Sequence, residues 1–246
     1  LADRLLSIDN LGLTAGTGKL HLEGTADLQA VFPNGCFDPH PDFKALTYQL
    51  RAEQNEFALE TLLGKAAGLA GEVDALIAIS GKGIDPETLK ADGSIEATGS
   101  EVTTNQKVAP VTLSLQSQLA LDHGHVSLHR LSAQAGDLNI EARGKADINT
   151  HGVSADFRLE APHLSETLTP LGIHALKGQA EMNGKIAGTF RQPEFKFIFN
   201  GSGLAYSDIR IGDIRLNASL DAKGSFHLAE LTLENRGSVL KGKGEL

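Results

Sequence analysis

Tryptophan is absent from this chain, and phenylalanine with tyrosine brings the aromatic share to only 5%. Apolar residues still make up 41% of the sequence, so a core is possible and has to be built mainly from aliphatic side chains. Cysteine occurs once, at Cys36, which excludes an intrachain disulfide and a cysteine-based zinc site. A lone cysteine reads as a small half-buried residue and does not fix the compartment. No stretch approaches the ~20 apolar residues of a membrane-spanning helix, and no signal peptide is visible. The chain opens on Leu1-Ala2-Asp3 without an initiator Met, as expected of a mature chain or a piece of a longer protein. Net charge is −9, so phosphate backbones and anionic membrane surfaces repel it and nucleic acid is not an expected partner. GxSxG, GxGxxG and Walker signatures are missing as well.

What is present is repetition. Ser7-Ile8-Asp9-Asn10-Leu11-Gly12-Leu13 continues through Leu20, Leu22 and Gly24. The same pattern returns 120 residues later at Ser127–Ala133, with Ile140, Ala142 and Gly144, and 100 residues after that at Leu228–Leu233, with Leu240, Gly242 and Gly244. A second echo, offset by 107 residues, pairs Leu69, Gly71, Gly81, Pro86 and Glu87 with Leu176, Gly178, Gly188, Pro193 and Glu194. Repeats of this kind predict stacked units that bury a face against their neighbours.

Each unit is a strand. Val111, Leu113, Leu115, Leu119 and Leu121 alternate with polar residues, then Asp122-His123-Gly124 turns the chain. Leu138, Ile140, Ala142, Ala146 and Ile148 follow, and Val153, Ala155, Phe157 and Leu159 after another turn. Period-two alternation punctuated every 10–12 residues predicts an all-β antiparallel meander with one apolar face. The apolar parity flips between Ile8 and Leu11, Leu128 and Leu131, and Leu228 and Leu231. One extra residue reverses the face, so a bulge or bend is expected at 9–10, 129–130 and 229–230, curling the sheet over its apolar side. Only two segments carry helical spacing. Leu59, Leu62, Leu63 and Ala66 predict a short helix near 56–68, with Asn55 as N-cap. Leu164, Leu168 and Leu171 predict another near 164–171, with Ser165 near its start and Pro170 limiting it. The expected organisation is the end of a β-repeat unit over 1–30, an irregular loop over 31–45, and β-repeat modules over 46–161 and 162–246, all in one elongated piece.

Chemistry-bearing candidates are few. His123, His125 and His129 are the one metal-like cluster, but they alternate with Val126 and Leu128, point outward and lack a completing carboxylate or thiol. Asp85-Pro86-Glu87 and Gln192-Pro193-Glu194 occupy matched repeat positions, which favours a structural turn over paired catalytic carboxylates. Asn200-Gly201-Ser202 and Asn217-Ala218-Ser219 fit a glycosylation sequon that arises often by chance. No catalytic, cofactor-binding or metal residue is assigned. The remaining candidate is the apolar face itself. Leu113, Leu115, Leu121, Leu128, Ile140, Phe157, Phe197, Leu216 and Leu228 share a phase and are expected to line a common lipid-facing groove. Two arrangements stay open: opposed sheet halves packed as a filled sandwich, or halves held apart as a trough.

The run Leu176-Lys177-Gly178, Gly184-Lys185-Ile186-Ala187-Gly188-Thr189 and Pro193, followed by Gly201-Ser202-Gly203-Leu204-Ala205-Tyr206-Ser207-Asp208-Ile209-Arg210-Ile211-Gly212-Asp213-Ile214-Arg215-Leu216, resembles the TamB branch of the AsmA-like superfamily. The closing Leu231-Thr232-Leu233 with Leu240-Lys241-Gly242-Lys243-Gly244 does too. The resemblance covers roughly residues 45–246, with 1–30 as the tail of a preceding unit, while 31–45 departs from the pattern. It implies a U-shaped sheet with an apolar interior, a β-taco, in a periplasmic protein anchored in the inner membrane of a Gram-negative bacterium, the anchor lying outside this stretch. It also implies phospholipid as cargo, an outer-membrane barrel of the Omp85 type as partner, and a non-enzymatic part in outer-membrane biogenesis. Competing expectations are a chaperone-like scaffold for outer-membrane β-barrel or autotransporter assembly, a structural or adhesin rod with a filled core, and an enzyme on a β-scaffold.

Overall fold

The computed structural model describes residues 5–15, 18–35, 39–60, 70–85, 88–103, 110–169 and 173–245. Fourteen strands succeed one another: β1 (Leu5–Ala15), β2 (Gly18–Asp27), β3 (Thr47–Ala58), β4 (Ala70–Lys82), β5 (Lys90–Thr103), β6 (Val111–Asp122), β7 (His125–Ala135), β8 (Leu138–Asp147), β9 (Val153–Ala161), β10 (Leu176–Gly188), β11 (Pro193–Tyr206), β12 (Ile209–Leu220), β13 (Phe226–Asn235) and β14 (Ser238–Glu245). Every strand pairs antiparallel with its neighbours in sequence, and the spatial order is the chain order from β1 to β14. The result is one unclosed, curled sheet whose outermost described strands are β1 and β14. Thirteen strand spacings make it about 60 Å long across the strands.

The parity flips become bulges. Register shifts fall between Ile8 and Leu11, Leu128 and Leu131, and Leu228 and Leu231. A further pair of irregularities explains the 107-residue echo. Gly71 and Gly178, at φ 130 and 116, sit against bulges in the following strands, Gly99–Val102 and Gly201–Leu204. A Cβ at Gly71 would stand 2.9 Å from Val102 Cα, and one at Gly178 would stand 2.7 Å from the Ser202 carbonyl. The repeated glycine is therefore a seat for a bulged backbone. The fourth residue of each bulge, Val102 or Leu204, is 4% or 5% exposed, which pins the rim.

Helix is scarcer than the spacing suggests. β3 runs through Asn55 to Ala58, because the chain bulges after Gln54 and pairs again at Phe57–Val73 and Ala58–Glu72. The Glu56 N–H donates to Asp74 Oδ1 at 2.8 Å, so Asn55 lies within the strand and helical geometry begins only at Leu59–Glu60. The rest of that expected helix, 61–69, lies outside the described residues, as do Cys36, Pro86, Glu87 and Pro170. The second helix, α1 (Leu164–Leu168), is present, with His163 at its N-cap and Ser165 in its first turn. It is anchored by Leu164, which clusters with Ala161 and Leu204 at one rim of the sheet. The 31–45 connection holds a 3₁₀ turn at Phe43–Ala45 and the fully buried Val31. Pro193 and Glu194 open β11 rather than forming the turn, which is closed by Gln192 N–H to the Thr189 carbonyl at 3.1 Å.

Candidate functional site: the apolar face

In an antiparallel ladder directly opposed residues project from the same side, so the register assigns every side chain to a face. Starting from Leu115, the opposed residues are Ala97, Ala75, Gln54, Leu20 and Leu13 toward β1. Toward β14 they are Ala133, Ile140, Leu159, Met182, Phe199, Leu216, Leu231 and Gly242. One row thus crosses all fourteen strands and holds a single polar residue, Gln54. The adjacent row, from Leu11 through Ile77, Ile95, Leu131, Phe157 and Phe197 to Leu228, holds only Ser117. Rows through Leu113 and through Leu119 flank these two, and the row of Leu121 runs along the rim that contains Tyr48. No Asp, Glu, Lys, Arg or His side chain falls on these five rows among the described residues.

The nine candidate residues distribute over the rows as follows. Leu115, Ile140 and Leu216 share the first row. Phe157, Phe197 and Leu228 share the second. Leu113 and Leu128 occupy the flanking rows and Leu121 the rim row. All nine project from one face. Alternation within β9 already puts Leu159 on this face with Phe157, whereas Met182 and Gln54 are placed only by cross-strand register.

The other face is polar. Arg158 pairs with Glu160 and, at 3.2 Å, with Glu181; Lys185 and Arg143 both reach Asp156, at 3.4 and 3.5 Å. A depression of about 840 Å³ over β1–β7 takes its charged lining from polar rows, including Glu23, which lies 3.5 Å from Arg51 Nε. The carboxylates with lowered pKa sit in turns. Asp122 is held below the usual range by His123 and then Lys90, Asp147 chiefly by the Thr150 N–H, and Asp221 by the Ser225 N–H and then Lys223 N–H. His123 and His125 are exposed and engage Asp122 and Asp147, and His129 is exposed in the β7 bulge. Asp137, His163 and Glu166 bring one ligand atom each within 4.8 Å at the rim. His163 Nδ1 lies 2.6 Å from Asp137, and both His163 and Glu166 are exposed.

The apolar face is shielded without being filled. Leu115, Ile140, Leu159, Phe199 and Leu216 are half-buried, whereas Glu96, Gln116, Glu141 and Arg158 on the other side are exposed. Of the additional elements among the described residues, α1 packs on the sheet most extensively, against β10. A sandwich would close off its central residues, yet Leu50, Ile77 and Ile79 remain 38%, 37% and 40% exposed. The face is an open trough.

Glycines within the strands shape its floor. Gly184 lies directly across from Phe157, and a Cβ there would run into the ring at Cζ. Likewise a Cβ at Gly18 would meet Phe57 Cδ2 at 2.5 Å, and one at Gly81 would meet the Tyr48 hydroxyl at 2.5 Å. Each ring lies down over the neighbouring glycine, so aromatic bulk widens the apolar floor without standing up into the trough. Gly184→Val is therefore expected to lift the Phe157 ring and destabilise the sheet by about 1–3 kcal/mol. In a Phe157→Ala background the same change should cost much less, a coupling that a double-mutant cycle of thermal melts reads directly.

Two comparisons, with curated proteins and with solved structures, give no match. The family model described as TamB, N-terminal domain, matches residues 2–241 and runs straight through the irregular 31–45 stretch. The chain belongs to the TamB N-terminal domain family.

Proposed function

We propose that this chain is a stretch of a non-enzymatic periplasmic conduit that carries acyl-chain lipid along its apolar trough, in phospholipid transport and outer-membrane biogenesis. One observation carries the reading: the trough runs across fourteen strands with no Asp, Glu, Lys, Arg or His side chain on its rows among the described residues. An acyl chain gains about 0.8 kcal/mol per methylene removed from water. Spread along a continuous floor, that gain holds cargo without a single deep trap.

The face also discriminates between occupants. Its backbone N–H and C=O groups are spent in the ladders, and its inner rows offer only Gln54 and Ser117 as polar side chains. A polypeptide laid in the trough would leave most of its own backbone groups unpaired, at about 1–3 kcal/mol each. A hydrocarbon chain has none to lose. Partners on this reading are phospholipid in the trough, an inner-membrane anchor outside this stretch and an Omp85-type barrel at the outer membrane. No helix of the described residues is long and apolar enough to cross a membrane.

A second reading is capture of outer-membrane β-strands by strand addition at a sheet edge. Native mass spectrometry of the detergent-free chain separates the two. The conduit predicts bound phospholipid and lipid transfer between vesicles. Binding of a β-signal peptide with no lipid bound would give the role to the edges instead.

A further inference from the structure

The trough is not uniform along its length. The chain has 10 phenylalanines, and five of them, Phe157, Phe195, Phe197, Phe199 and Phe226, project from the apolar face of β9–β13. The inner positions on β3–β6 are small or aliphatic, such as Ala52, Ala75, Ala97 and Ile77, and the two aromatic residues of β3 on this face, Phe57 and Tyr48, sit on the outer rows. Both polar residues of the inner rows, Gln54 on β3 and Ser117 on β6, also fall in that first half. Shielding differs in the same sense at three positions. Leu50, Ile77 and Ile79 on β3 and β4 are 37–40% exposed. The inner-row residues of β8–β13, including Phe157, Met182, Phe199 and Leu216, are all half-buried or buried.

We infer that the aromatic half, β9–β13, is the station where an acyl chain rests, and that β3–β6 is a stretch it crosses with weaker hold. The inference rests on the conduit reading and deepens it. Hydrophobic attraction scales with the apolar area withdrawn from water, and phenylalanine offers far more of it than alanine or glycine. The more enclosed walls of β9–β13 withdraw a larger share of the cargo's surface. In the first half the chain lies over backbone, beside an amide and a hydroxyl, and stays partly wet. Cargo that enters at β1 therefore meets rising affinity toward β13, and cargo that enters at β14 is held near its entrance.

The test uses the 246-residue chain loaded from vesicles of phosphatidylethanolamine and phosphatidylglycerol. The double variant Phe197→Ala, Phe199→Ala strips two rings from the aromatic half. Ile77→Ala, Ile79→Ala makes the same truncation in the other half. Lipid release into acceptor vesicles is expected to quicken about tenfold in the phenylalanine variant and less than about twofold in the isoleucine variant. Equal effects, or a larger effect of the isoleucine variant, overturn the station. Should either variant melt abnormally, p-benzoylphenylalanine at Leu216 and at Leu50 gives the second measurement. Stronger lipid capture at Leu216 supports the station, and equal capture overturns it. Wild-type chain that takes up no lipid at all fails the conduit reading itself, and the station with it.

Discussion

Leu115→Arg is expected to abolish lipid retention while leaving the chain folded. Leu115 stands in the central row between Ala97 and Ala133, small residues that leave room for a long side chain. The trough is open, so the guanidinium can extend along the floor to water, with a folding cost of about 1 kcal/mol. Acyl chains crossing that point would meet a charge in hydrocarbon surroundings, a penalty of several kcal/mol and thus a loss of more than about a hundredfold in retention. In a filled core the same substitution would bury an unpaired charge at roughly 3–5 kcal/mol and collapse the melt. Gln116→Arg is the control: its side chain is exposed on the polar face, and neither melt nor lipid loading should move. Thermal denaturation and native mass spectrometry of the three proteins supply both readouts.

Gly212→Ala is expected to be among the most damaging single-methyl changes in the chain. Gly212 is buried opposite Leu204, with φ 102, a backbone conformation that strains any L side chain. A Cβ there would collide with the Glu234 carbonyl oxygen and come within 3.1 Å of Asn235 Cα. Strain and overpacking together should cost about 3–5 kcal/mol. In a sheet where each strand touches only its neighbours, the loss should appear first as local opening of β11–β13, read by hydrogen exchange. Gly12→Ala, on β1 with nothing within 4 Å of its Cβ position, should stay within about 0.5 kcal/mol of the parent.

The contrast between these glycines marks where sequence reasoning stops. Alternation along a strand is a property of neighbouring residues, so the meander, the apolar parity and the bulges at 9–10, 129–130 and 229–230 are visible in the sequence alone. The echo of Gly71 in Gly178 is visible too, but its cause, a bulge in the next strand pressed onto each glycine, exists only after pairing. Register is what a sequence hides. It places Gln54 in an otherwise apolar row, lays Phe157 over Gly184, and joins Met182 to the floor. The helix expected near 56–68 is shorter at its start for the same reason. Leu59, Leu62 and Leu63 have helical spacing, but β3 gains more by resuming its ladder with Val73 and Glu72 before the chain turns. Whether the apolar halves meet or stand apart depends on curl, which no periodicity encodes.

The central claim is that one face of this sheet, and not the other, holds acyl chains. Phe157 and Arg158 test it most directly, because they are adjacent in β9 and project from opposite faces. p-Benzoylphenylalanine introduced at each in turn, in chain loaded from phospholipid vesicles and irradiated, reads the occupant of each face. The account predicts strong lipid capture at Phe157 and none above background at Arg158. Equal labelling at the two positions, or capture at Arg158 alone, would contradict it.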